Sequence, residues 1–303
     1  METLSKIVPI AMLAFVLSSM LSMGLSLTIG QVLAPLRNYR LIVVALLANF
    51  VLMPFAAFGI AKLLRLDESL GIALLLLGTA SGAPFLPLLA RISKGNLAFS
   101  VGLMVLLMVV TVGYMPVVLP LLLEGVSVDP MKIGRSLVFL MMLPLAIGLL
   151  VKARLGGLAA KVQPSLGRVS ILSLALLIAL LLITNMQNVL NLYGTRGVLA
   201  SILFIAAGSG IGWVLGGPQS DTRGVMALGT AQRNIAAALV VGGQNFRDPK
   251  VIVMVVVVAI VGLLILMPLA KYLAKFSQPA PQQRDNSPKL QSLGQSAADG
   301  ARR

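Results

Sequence analysis

The chain is organised by runs of about twenty apolar residues, separated by short polar breaks. A helix rising about 1.5 Å per residue needs a run of that length to cross a hydrocarbon core roughly 30 Å thick. About nine such spans are predicted, near 7–29, 41–64, 69–91, 97–123, 133–151, 169–190, 197–216, 223–244 and 250–274. The breaks run from Pro35 to Arg40, Arg65 to Glu68, Lys94 to Asn96, Glu124 to Asp129, Lys152 to Arg168, Asn191 to Arg196, Gly217 to Thr222 and Phe246 to Lys250. Inside lipid each backbone N–H and C=O must be satisfied within the protein, so uninterrupted apolar runs of this length read as helices. A β-barrel would need alternating segments of about ten residues, a pattern the chain lacks. The fold class is therefore an all-α integral membrane protein. The first run is too long for a secretory h-region and has neither a strongly basic n-region nor an A-x-A exit, so it is predicted as a span.

Charge and residue usage remove other classes. Charged residues make up only 11% of the chain, against about a quarter in soluble domains. There is no Cys and no His, which excludes disulfides, zinc thiolate or imidazole sites and His-based triads. The formal charge is +15. Its basic residues sit singly or in pairs at span ends, as in Arg37/Arg40, Arg91/Lys94 and Lys152/Arg154, which fits membrane flanks rather than a nucleic-acid groove. The expected partners are the lipid bilayer and a small-molecule substrate, with no nucleic acid. With the N-terminus outside, eleven Lys and Arg of the span-flanking segments fall on the cytoplasmic side and eight outside. This bias predicts N-out and C-in. From Ser277 the composition shifts to Gln, Ser, Pro, Ala and Gly. Residues 1–276 are thus expected to form one transmembrane domain, and 277–303 a disordered cytoplasmic tail.

Two spans carry interruptions. The third contains Gly82, Pro84 and Pro87 within six positions, and the eighth contains Gln232-Arg233-Asn234 in an apolar helix. Each falls in the third span of its half if 133–151 is a linking helix between repeats at about 7–123 and 169–275. An odd linker inverts the second half, so the two breaks meet near the midplane, as in alternating-access transporters. Helix ends freed there offer partial positive charge at N-termini and carbonyls at C-termini.

All nine acids lie at termini, loops or span edges, whereas Arg233 lies deep in its span. An arginine there costs about 2.5–3.5 kcal/mol on insertion scales, which marks it as functional. Its counter-charge must come from helix-end carbonyls or from a bound anion. Arg233, Asn234, Gln232, Thr79 and Ser81 are the candidate substrate contacts. Proton relay is disfavoured by the lack of an intramembrane acid or His. No nucleophile–base pair, metal cluster or Gly-rich phosphate loop appears, so an enzyme is not expected.

At these residues the chain resembles the bile acid:sodium symporter family, in its bacterial branch. The resemblance rests on the order of Met23-Gly24-Leu25-Ser26-Leu27, Asn49-Phe50-Val51-Leu52-Met53-Pro54, Ala80 to Pro87, Lys94 to Ser100, Gly208-Ser209-Gly210-Ile211-Gly212 and Gln232-Arg233-Asn234. It implies a core domain of crossed, broken helices beside a panel domain, in a bacterial inner membrane. Ten-helix members have one further first helix. The departures concern sodium: Gly229 stands where such members carry a membrane glutamate, Arg233-Asn234 where they carry Gln-Asn, Leu86-Pro87 where they carry Ser-Asn, and Met104 where they carry Thr. Asn49, Ser100, Thr230 and Asn234 remain as oxygen donors. No cofactor is expected beyond Na+, and Arg233 is expected to stand in for a sodium ion, since each places one positive charge in the same cavity. The resulting expectation is a secondary transporter of small organic anions, with an anion channel or a membrane-embedded sensor as the alternatives.

Overall fold

The computed structural model describes residues 2–33, 38–123, 129–184 and 196–276, which form helices and turns with no strand among them. In chain order these are α1 (Glu2–Ser26), α2 (Ile29–Leu33), α3 (Tyr39–Leu63), α4 (Glu68–Thr79), α5 (Leu86–Ile92), α6 (Leu97–Leu122), α7 (Pro130–Arg154), α8 (Gly156–Thr184), α9 (Gly197–Leu215), α10 (Ser220–Ala231), α11 (Ile235–Asn245) and α12 (Pro249–Leu273). Eight stretches are long and apolar enough to cross a membrane, with α10 and α11 together counting as one. The remaining expected span is divided between α4 and α5.

Helix ends follow local chemistry. Asn96 caps α6 by accepting from the Phe99 N–H at 2.9 Å, and Asp129 caps α7 by accepting from Met131 and Lys132. Asp248 caps α12 through the Lys250 N–H, with Pro249 as first residue, and a proline there gives up only an N–H that would have no helical partner. Wide π turns at Ala48–Leu52 in α3 and Val138–Met142 in α7 each precede a proline, Pro54 and Pro144. A ring in mid-helix displaces the carbonyl one turn earlier, and the wider turn absorbs the displacement.

In lipid there is little hydrophobic drive between helices, so close backbone approach holds them together. Gly208, Gly212 and Gly216 put one face of α9 directly on α10: a Cβ on Gly212 would lie 2.2 Å from the Met226 carbonyl oxygen. Gly24 and Gly148 do the same between α1 and α7. Helix α1 packs on α7 and α8 in one group, while α9 to α12 pack with α3 to α6 in the other.

Two expectations need correction. Lys152 to Arg168 is not a polar break, because α8 starts at Gly156 directly after a bend at Leu155. The segment has a polar face but good helix formers, and its largely exposed first turns extend a 29-residue helix that is about 44 Å long at 1.5 Å per residue, longer than the core is thick. The first span ends at Ser26, and Ile29–Leu33 forms a separate short helix. The predicted tail lies outside the described residues.

Candidate functional site

The ends of α4 and α10 meet at Arg233. Helix α4 stops at Thr79 and the chain runs extended from Ala80, with Gly82 at φ +81°. Helix α10 stops at Ala231, and α11 restarts at Ile235. Backbone groups freed by these stops must find partners, because no water lies in the hydrocarbon to take them. They find each other: the Asn234 N–H donates to the Ala80 carbonyl at 3.0 Å, and Asn234 Nδ2 donates to Gly82 at 3.1 Å and Ser81 at 3.4 Å. Asn234 Oδ1 meanwhile accepts from the Ala237 N–H and starts α11. Thr111 on α6 completes the account. Its hydroxyl accepts from the Ser81 N–H at 3.0 Å and donates to the Ser81 carbonyl at 3.1 Å.

Arg233 is 2% exposed, and its guanidinium is held by oxygens alone. Nε donates to the Leu77 carbonyl at 2.8 Å, NH2 to Gly78 at 2.7 Å, and NH1 to Thr230 at 3.0 Å and to Asn49 Oδ1 at 2.8 Å. A looser contact runs from NH2 to the Asn49 carbonyl at 3.5 Å. These take up all five N–H groups. Leu77, Gly78 and Thr230 lie in the last turns of α4 and α10. Each helix C-terminus carries the equivalent of about −0.5 charge, so two of them balance one guanidinium. Of the two counter-charges considered from sequence, the geometry contains the helix-end carbonyls. Arg233 has no N–H left for a substrate anion in this conformation.

The other candidates divide into two groups. Asn49, on the wide turn of α3, accepts from Ser81 Oγ and Arg233 while its Nδ2 donates to Ala45 and to Thr230 Oγ1. Asn49, Ser81, Thr230, Arg233 and Asn234 thus form one buried polar cluster. Thr79 donates back to Leu75 and Leu76, and Ser100 to Leu97, so both hydroxyls serve their own helices. Gln232 is half-buried at the end of α10. Position 229 is lined by hydrocarbon: a Cβ on Gly229 would stand 2.9 Å from Leu86 Cδ2 and 3.4 Å from Leu103 Cδ2, so a side chain there would first have to displace leucine methyls. Among the described residues, no three acidic side chains gather where they could hold a metal ion.

A second feature was not anticipated. A crevice of about 650 Å³ separates α1 and α8 from α5 and α6. One wall presents Ser19, Ser22, Ser26, Gln163 and Ser170, and the other Pro84, Pro87, Ala98, Val101 and Met104, with Arg91 and Gln31 also lining it. Among the described residues, none that lines it is acidic. The signal was present in the sequence: Ser19, Ser22 and Ser26 share a helix face, as do Gln163, Gly167 and Ser170.

Interrupted helices joined through a buried polar cluster, within a many-span helical bundle, are features that secondary-transporter folds share. The chain belongs to the sodium bile acid symporter family, whose model matches residues 12–192. It is 27% identical over 202 residues to an uncharacterized sodium-dependent transporter of Bacillus subtilis, covering 65% of this chain and 60% of that one. A probable chloroplastic sodium/metabolite cotransporter of Oryza sativa subsp. japonica is 24% identical over 246 residues, 80% of this chain and 60% of the relative. The hepatic sodium/bile acid cotransporter of Rattus norvegicus is 28% identical over 156 residues, 49% and 43% respectively. The chain thus spans about three fifths of the length of the first two relatives.

Proposed function

We propose that this protein is a secondary transporter of small organic anions, with the cation position at its helix crossing permanently filled by Arg233. The observation that carries the reading is the saturated guanidinium between two helix C-termini. Oxygens so placed attract a monovalent cation, and here the chain supplies its own. The relatives' names indicate sodium dependence. Transport by this chain is proposed to run without sodium, since Gly229 offers no carboxylate and Arg233 already occupies the oxygens at the crossing.

A recurrence of element boundaries supports the reading of two repeats that work by alternating access. The boundaries of α3, α4 and α6 recur in α9, α10 and α12 at a constant interval: 63 to 215, 68 to 220, 79 to 231 and 97 to 249, each 152 positions apart. Contacts recur with it. Asn96, capping α6, donates to Asp221 in the first turn of α10 at 3.4 Å. Asp248, capping α12, accepts from Ser69 in the first turn of α4. Two units related in this way rock between equivalent arrangements that open to opposite sides. The crevice between α1/α8 and α5/α6 is the proposed substrate space, open to the cytoplasm of a bacterial cell in the orientation set by the Lys and Arg bias.

Uptake of radiolabelled organic anions into proteoliposomes tests this reading. Saturable uptake that is equal in sodium and potassium is expected. An absolute requirement for sodium would overturn the Arg233 assignment, and a linear, non-saturating flux would make the protein a channel.

A further inference from the structure

A second groove, of about 880 Å³, lies away from the crossing and the crevice, between α3, α4 and the end of α6. Its walls carry Phe50, Pro54, Phe58, Leu75, Tyr114 and Val118. Phe55 and Leu121 at its edges are 69% and 71% exposed, so this side of the bundle faces lipid among the described residues. From Phe50 to Lys62 the groove follows about 18 Å of helix at 1.5 Å per residue, close to the depth of one leaflet's hydrocarbon. Charged residues line it at one end only: Lys62, Asp67 and Glu68.

That arrangement selects its occupant. An apolar channel one leaflet deep with charges at the interfacial end fits an acyl chain joined to a headgroup. The rim holds both signs. Lys62 lies 5.5 Å above the Phe58 ring, which favours a cation there. Asp67 begins α4 without a side-chain hydrogen bond to it, leaving its carboxylate available beside Glu68. A phosphate pairs with the ammonium of Lys62, and a primary ammonium pairs with the carboxylates by charge-assisted hydrogen bonds. We propose that this groove binds one zwitterionic aminophospholipid, phosphatidylethanolamine, with an acyl chain along α3 and its headgroup across Lys62, Asp67 and Glu68. The trimethylated headgroup of phosphatidylcholine has no N–H to donate, and phosphatidylglycerol brings a phosphate for Lys62 but no ammonium for the two acids, so it adds net negative charge to a rim where acids already outnumber the lysine.

The groove also touches the element that holds the crossing. At its inner end Tyr114 packs on Phe50 with ring centroids 4.8 Å apart, and its hydroxyl donates to the Phe50 carbonyl in the wide turn. The next residue back is Asn49, which accepts from Arg233. A chain seated in the groove therefore braces the turn that positions Asn49.

The test is native mass spectrometry of the full chain in detergent, titrated with phosphatidylethanolamine, phosphatidylcholine and phosphatidylglycerol of identical acyl composition, with thermal midpoints read in parallel. One retained phosphatidylethanolamine is expected, with about a two- to fivefold preference over the other two, the range that one or two interfacial ion pairs supply. The D67N/E68Q double variant should bind phosphatidylethanolamine and phosphatidylcholine alike, and K62Q should weaken both. Equal retention of all three lipids by the unaltered chain would overturn the proposal. So would a phosphatidylethanolamine preference that survives D67N/E68Q, retention of no lipid, or a doubled mass showing that a second copy covers this face. Transport activity does not enter these outcomes, so they stand apart from the sodium test.

Discussion

Arg233 combines full burial with full satisfaction, and that combination sets the consequences of changing it. A lysine keeps the charge but has three donors in place of five, so at least two of the five acceptors, the carbonyls of Leu77, Gly78, Thr230 and Asn49 and the Asn49 Oδ1, lose that partner. At about 1–3 kcal/mol for each unsatisfied buried group, R233K should be destabilised by about 2–6 kcal/mol, read as a fall in thermal midpoint. R233A removes the cation and leaves the oxygens around a small vacancy. Its stability should then depend on sodium, rising by about 2.7 kcal/mol when sodium reaches a hundred times its dissociation constant, whereas the unaltered chain should be equally stable in sodium and potassium. If R233A were as indifferent to sodium as the parent, the oxygens would not form a cation cage and the stand-in idea would fall. The depth of Arg233 and its need for carbonyl or anion partners were legible in sequence. Which carbonyls answer it was not, since Leu77 and Gly78 lend backbone oxygens that leave no side-chain signature. Ser100 and Thr79 carried the right chemistry at the right depth, but their hydroxyls bond to their own helices. That outcome depends on rotamers, which a sequence does not specify.

The interruptions, at the scale of elements, are built rather than merely tolerated. Gly82 and Gly217 share φ +81°, yet a Cβ on Gly82 would lie 2.2 Å from the Met108 nitrogen and 2.6 Å from the Met104 carbonyl oxygen, while Gly217 has open space. Each alanine substitution pays for a left-handed conformation, about 1–2 kcal/mol. Only G82A must also push the interruption off α6, which separates Thr111 from Ser81. G217A should therefore lower the thermal midpoint modestly, and G82A should lower it much further or prevent folding. Equal effects would show that the interruption is not tightly seated on α6. The clustering of Gly82, Pro84 and Pro87 made this break visible in sequence. The polarity of Lys152 to Arg168 signals a break in sequence, yet most of the segment is helical. Its Leu-Ala-Ala-Lys-Val-Gln run favours a helix, and Pro164 is accommodated within it.

For the whole molecule, the crevice wall of α1 and α8 poses an energetic question. Ser19, Ser22, Gln163 and Ser170 occupy apolar helices, and polar groups facing hydrocarbon without partners are costly. Ser22 and Gln163 bond to each other, Gln163 Nε2 donating to Ser22 Oγ at 3.3 Å, which accounts for part of the wall. The rest would be solvated by water entering between the two helix groups, as the proposed pathway requires. The natural chain has no cysteine, so a single introduced thiol reports its own surroundings without background. S19C, half-buried on the crevice wall, should react with a small charged methanethiosulfonate reagent, because the attacking thiolate forms only where water reaches it. S201C, fully buried inside α9, should not. Transported anions should slow modification of S19C by occupying the same space, and modification should in turn block uptake by wedging the crevice open. Arg91 is the only charged lining residue of the crevice among the described residues, so R91Q should weaken protection by anions while leaving the thiol reactive. An S19C thiol that reacts no faster than S201C would mean that α1 and α8 form a closed interface with α5 and α6, and the rocking of one group against the other would lose its physical basis.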